Sequence, residues 1–104
     1  MNKERRTQID GLIKDIETLQ NTLSALSDID ATTNNVDGIK DAEQEYYDAM
    51  PESFQNGDKG SIATEAISNL EEAFSQMEAA QTAIEEAGTA LEAAVEALEN
   101  AKGN

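Results

Sequence analysis

From residue 66 to residue 101 the chain repeats every seven positions, and a helix this regular has to pair with another helix. Alanine recurs at Ala66, Ala73, Ala80, Ala87, Ala94 and Ala101, and glutamate at Glu71, Glu78, Glu85, Glu92 and Glu99. Between these rows Ile67, Leu70, Phe74, Met77, Ile84, Leu91, Val95 and Leu98 keep the alternating three-and-four spacing of a coiled-coil seam and are the expected oligomer seam. Gln81 and Gly88 stand where that frame asks for apolar residues. A polar residue in a seam costs stability but can fix register or oligomeric state, and a glycine permits a close crossing or a local bend. The plainer reading is that both are defects a long helix tolerates.

A second helical stretch is expected over residues 3–29. Ile9, Leu12, Ile16, Leu19, Leu23 and Leu26 follow the same spacing, with Ile13 and Ile29 widening the apolar face. Residues 30–35 (Asp-Ala-Thr-Thr-Asn-Asn) are poor helix formers, so a break or kink is expected there, with a new helix capped near Asn34 or Asn35. The alternative is one long helix with a frame slip. Residues 36–50 form the next helical piece, in which Val36, Ile39, Ala42, Tyr46 and Met50 share a face, with Tyr47 beside it. Pro51 and the cluster Asn56-Gly57-Asp58-Lys59-Gly60 mark residues 51–60 as a connection, in which Phe54 is expected to pack back onto the helix ends. Ser61 is the expected cap of a final helix over 62–101, which Gly103 stops.

At 1.5 Å per residue the last helix is about 60 Å long, as are the two earlier pieces together. The expected fold is therefore all-α: one domain, an antiparallel helical hairpin or coiled coil with an interrupted first arm. Lys3, Arg5 and Arg6 at one helix start and Glu92, Glu96 and Glu99 near the other helix end oppose their own dipoles, and they become neighbours in such a hairpin. Only four aromatic residues are present and much of the apolar content is alanine, so a lone hairpin is under-buried. A homo-oligomer, with two hairpins packed as a helical-bundle dimer, covers both the seam and the alanine row.

The net charge of −15 opposes direct binding to nucleic acid or to an anionic membrane, and it fits a partner with a basic surface. No cysteine and no histidine is present, which removes thiol chemistry, the commonest general base and the commonest transition-metal ligand. No calcium-loop, nucleotide-loop, zinc or nucleophile motif is found, so no metal or cofactor is expected and the protein reads as a non-enzyme. The start of the chain lacks the apolar run of a signal peptide, and no segment is apolar enough to span a bilayer; the expected location is the cytoplasm.

The densest local cluster is Asp41, Glu43, Glu45, Tyr46, Tyr47, Asp48 and Glu52, the candidate partner-binding residues. Its plain reading is a solvated helix face with two tyrosines packing at the end of the hairpin. The stretch Glu43-Gln44-Glu45-Tyr46-Tyr47-Asp48-Ala49-Met50-Pro51-Glu52-Ser53-Phe54-Gln55 resembles a motif of small acidic helical proteins from bacteriophages and prophages, in which an acidic, tyrosine-bearing helix end runs into Met-Pro-Glu, a polar loop and a glutamate- and alanine-rich helix. Members of that group often have Asn where this chain has Ala49 and Leu where it has Phe54. The resemblance spans about residues 36–100 and implies a mobile-element origin, a bacterial host cell and a binding protein that blocks a host defence protein.

Three functions compete on these grounds. The first is an inhibitor that presents carboxylates to a basic host protein in the manner of a DNA mimic. The second is a structural or assembly coiled coil. The third is an oligomeric helical sponge for a small signalling ligand, for which Arg5, Arg6, Tyr46 and Tyr47 are the only candidate lining residues and basic groups are scarce.

Overall fold

The computed structural model describes residues 1–103. The chain is all-α, with no strand among the described residues: α1 (Lys3–Ser24), a 3₁₀ turn (Ala25–Asp28), α2 (Ile29–Asp48), the short α3 (Glu52–Gln55) and α4 (Asp58–Ala101). Contacts divide it into two compact units, Met1–Ser27 with the segment from Thr82 onward, and Asp28–Gln81. We call them the first and second unit.

In the first unit α1 begins at Asn2, whose side chain accepts from the Arg5 backbone N–H at 2.8 Å and so satisfies one of the free donors of the first turn. Ile13 is buried, and Ile9, Ile16, Gln20 and Leu23 are half-buried beside it, one position every three or four residues. The facing residues of α4 are Ile84, Leu91, Val95 and Leu98, all half-buried. The segments run antiparallel: Lys102, just past α4, reaches Asp10 near the start of α1 at 2.6 Å, while Leu19 and Leu23 lie beside Ala87 and Leu91. The charge ties at this end include Lys102 with Asp10 and, at 3.6 Å, Lys102 with Glu99. Gly103 takes φ +83°, the left-handed conformation that ends a helix and that glycine adopts without strain.

The three-and-four spacing predicts Leu12, Leu19 and Leu26 in the seam. They face outward instead, about half exposed. The apolar face of α1 is wide enough for two seams, and the structure packs only the one that runs through Ile13.

The second unit corrects three further expectations. Residues 30–35 are helical, and the change in winding falls earlier, at Ala25–Asp28. Thr32 and Thr33 donate their hydroxyls to the Asp28 and Ile29 carbonyls four residues back, at 3.4 and 2.8 Å, which lets Thr33 be buried at 3 % exposure with its hydroxyl satisfied. Buried or half-buried positions then read 9, 13, 16, 20 and 23 in α1 and 29, 33, 36, 37, 40, 43, 44 and 47 in α2. One frame slip lies between Leu23 and Ile29, where spacing by threes demands tighter winding, and the 3₁₀ turn supplies it.

The inner face of α2 is also rotated from expectation. Thr33, Val36, Lys40, Glu43 and Tyr47 point inward, whereas Ile39, Ala42 and Tyr46 are exposed. The third correction concerns the connection. It is short and partly helical, and α4 starts at Asp58 rather than after Ser61, whose backbone N–H bonds the Gly57 carbonyl at 3.0 Å. The reason is Gly60. It is buried, and a Cβ at this position would run into the Gln55 backbone carbonyl, so only glycine lets the first turn of α4 pass so close to the end of α3.

Further along α4, Ala63 and Ile67 are buried and Leu70, Phe74 and Met77 half-buried. Gln81, the polar seam residue, donates to the Asp30 carboxylate across the helix pair. Gly88, by contrast, makes no close crossing. A Cβ there would meet nothing within 4 Å, and the position borders a groove lined by Gln20, Leu23, Ser24 and Glu92.

Candidate functional site

The acidic, tyrosine-bearing stretch occupies the C-terminal half of α2, the Pro51 corner and α3. The helix stops where Pro51 biases its predecessor out of the helical region: Ala49 N–H bonds Glu45 O at 3.0 Å, and Met50 N–H tightens back to Tyr47 O at 3.1 Å. Pro51 then opens α3, its carbonyl accepting from the Phe54 and Gln55 N–H groups. The Gln55 side chain closes the corner by donating to the Tyr47 carbonyl at 2.9 Å. This bond fixes α3 against the end of α2, and Gly60 admits α4 behind it.

The corner holds a shallow groove of about 250 Å³ between Tyr46, Ala49, Met50, Pro51, Phe54 and Lys59. Tyr46 and Phe54 are each about half exposed. Phe54 thus packs back only in part, and its free face carries the Lys59 ammonium 5.2 Å from the ring centroid. A row of exposed apolar residues, Ile39, Ala42, Tyr46 and Ala49, leads along α2 to this groove with helical spacing.

The seven residues proposed from sequence do not share one environment. Glu45, Asp48 and Glu52 are exposed beside the groove. Asp48 accepts from the Gln44 amide at 3.0 Å. Asp41 is exposed but paired: Lys40 lies 3.3 Å from it and 3.4 Å from Asp37. The hydrogen bond to Asp41, with Asp37 behind it, raises the Lys40 ammonium above its ordinary value. Glu43 and Tyr47 are half-buried on the inward side of α2, so they support the surface more than they form it. Ile39, Met50, Pro51, Phe54 and Lys59 belong to the surface and were not selected from sequence. The signal for them was present in the rule that Pro51 must turn the chain and bring Phe54 back toward Tyr46.

Electrostatics set this unit apart. Residues 28–81 carry thirteen Asp or Glu and two Lys or Arg, a net −11, while the other unit carries nine and five, a net −4. Both basic residues of the second unit are engaged locally, Lys40 by two aspartates and Lys59 over Phe54. Among the described residues no group of three or more His, Cys, Asp or Glu side chains is placed to hold a metal ion, and no helix is long and apolar enough to cross a membrane. Chemically, the surface is an apolar groove with two aromatic rings and the Lys59 ammonium, in a stretch whose exposed neighbours in sequence include Glu45, Asp48 and Glu52.

No protein-family model matches the chain, and no significant match is found among curated proteins or solved structures.

Proposed function

We propose that this is a non-enzymatic acidic binding protein of the bacteriophage type, which inhibits a host defence protein or a nucleic-acid-binding protein in the bacterial cytoplasm. It does so as a homo-oligomer of antiparallel helical hairpins. The observation that carries the reading is the pairing of half-exposed Tyr46 and Phe54 with the carboxylates of Glu45, Asp48 and Glu52 in a unit of net charge −11. Protein interfaces draw most of their energy from a few aromatic anchors set in pockets, and their charged rims speed encounter and select partners. A partner of matching chemistry has an apolar knob surrounded by Lys or Arg. A pure phosphate mimic would need the carboxylates alone; the exposed rings add a reason for choosing one basic protein over another.

The test is affinity capture from a bacterial lysate at low and at high salt, with the parent chain and with a variant carrying Glu43→Gln, Glu45→Gln, Asp48→Asn and Glu52→Gln. The expected result is a partner retained by the parent at low salt and weakly by the variant. Equal retention of that partner by a folded variant would make the acidic end a solvated face and end the proposal.

The second reading, a structural or assembly coiled coil, is favoured by how little a single chain buries: among the described apolar residues, Ile13, Ala63 and Ile67 are the fully buried ones. It predicts self-association with no captured partner.

A further inference from the structure

The face that α1 leaves open carries a further inference. Leu12 and Leu19 stand seven residues apart along one side of α1 and are 51 and 53 % exposed, and Leu26, in the 3₁₀ turn that follows, is 46 % exposed. Leu19 borders an apolar groove of about 360 Å³ with Thr22, Leu23, Ala87, Ala90 and Leu91. On α4 this groove continues a row at three-and-four spacing, Ala83, Ala87, Ala90, Ala94 and Ala97, exposed or half-buried throughout. The first unit therefore presents large knobs on one helix beside a smooth floor of alanines on the other.

We propose that a second copy of this chain occupies that face. The two copies meet about a two-fold axis, with the leucine row of each lying on the alanine floor of its partner. This rests on the homo-oligomer in the reading above and names its contact surface.

Three observations argue for a second copy. The first is area. The chain exposes 7353 Å², whereas a folded monomer of 11.2 kDa exposes about 5,700 Å². The difference is spread over the whole chain, and the first unit's share includes the half-exposed Leu12 and Leu19 and the exposed Ala83, Ala90 and Ala97, against the ~800 Å² that each partner of a standard interface buries. The second is shape. A two-fold contact needs a self-complementary patch, and leucines beside alanines are one, since each protomer brings both the knob and the place for it. The third is charge. Apposing two first units opposes −4 to −4, whereas apposing two second units would oppose −11 to −11.

Sedimentation equilibrium from about 1 to 100 µM on the full chain tests the proposal. The parent is expected to be a dimer. Leu19→Glu places a carboxylate in the shared face and should weaken dimerisation about 30-fold or more while the helical circular dichroism persists, because Leu19 is half exposed within the protomer. Ala90→Arg keeps a good helix former and fills the floor, so it should act in the same direction through bulk alone. Ile39→Glu, equally exposed in the second unit, should leave the dimer intact. A monomeric parent, or a Leu19→Glu or Ala90→Arg chain as dimeric as the parent, overturns the proposal. Partner capture by the Leu19→Glu chain reads the acidic surface separately, so failure of one reading is distinguishable from failure of the other.

Discussion

The two units use the same helical spacing and spend it differently. In the first, α1 turns isoleucines and a leucine inward onto Ile84, Leu91, Val95 and Leu98, and nine acidic residues stand against five basic ones. In the second, the inward side of α2 includes Thr33, Lys40 and Glu43, the apolar row of Ile39, Ala42 and Tyr46 points to solvent, and acids outnumber bases by eleven. A unit that turned its apolar residues inward and alternated its charges would be more stable alone. The second unit buries Ala63 and Ile67 and presents an exposed aromatic groove within a strongly acidic stretch. The first unit also leaves apolar surface open, but there the surface is leucine and alanine with little charge, which suits another copy.

Glycine separates the units most sharply. Gly60→Ala forces a methyl into the Gln55 backbone and should cost about 3 kcal/mol, at the upper end for overpacking, because backbone yields less than a side chain. It should also loosen the corner that holds Tyr46 and Phe54 together. Gly88→Ala in the first unit meets open space and should stabilise by about 1 kcal/mol through helix propensity alone. Urea unfolding of the two variants measures both, and equal signs would erase the contrast.

Salt distinguishes the units less strongly. Raising ionic strength from about 0.02 to 0.5 M shortens the Debye length from about 20 Å to under 5 Å and relieves repulsion among the thirteen acids of the second unit. The melting temperature should rise. In the chain carrying Glu43→Gln, Glu45→Gln, Asp48→Asn and Glu52→Gln it should start higher and rise less. The same salt response in both chains would place the repulsion elsewhere.

The smallest expected effect is alkaline. The hydrogen bond to Asp10, with the charges of Asp10 and Glu99 behind it, raises the Lys102 ammonium above its ordinary value against an opposing desolvation. A lysine raised on folding contributes fully below its unfolded value, near 10.4, and loses that contribution as pH climbs through the raised folded value. Histidine is absent, so stability should be nearly flat from about pH 6 to 9 and fall above about pH 10.5. Lys102→Gln should flatten the alkaline fall slightly, as read by thermal melts across that range. An unchanged profile would mean that the tie to Asp10 does not persist in solution.

The helical character was legible because period and composition agree along α4, where Ile67, Leu70, Phe74, Met77, Ile84, Leu91, Val95 and Leu98 stand at seam spacing and all prove buried or half-buried. On α1 and α2 the pattern misled. Seven or eight apolar residues spread over a broad face admit two seams one position apart, and spacing alone does not choose between Leu12 and Ile13. Packing against α4 chooses. The low propensity of residues 30–35 was real but local, and threonine hydroxyls bonding back to carbonyls offset it once Thr33 had a helix to pack on. The acidic cluster could be seen in the sequence; its division into exposed Glu45, Asp48 and Glu52 and inward Glu43 and Tyr47 could not, because that depends on the same rotation of α2.

The division of labour between the units is tested most directly by disulfide pairing, since the chain has no cysteine of its own. Single-cysteine chains are mixed in pairs and oxidised: Leu19→Cys with Ala90→Cys from the first unit, and Ile39→Cys with Ile62→Cys from the second. A covalent link needs the two Cα atoms within about 7 Å. The account predicts a mixed covalent dimer from the first pair and little from the second. Efficient linkage of the second pair with none of the first would contradict it, for the acidic unit would then be the self-associating one.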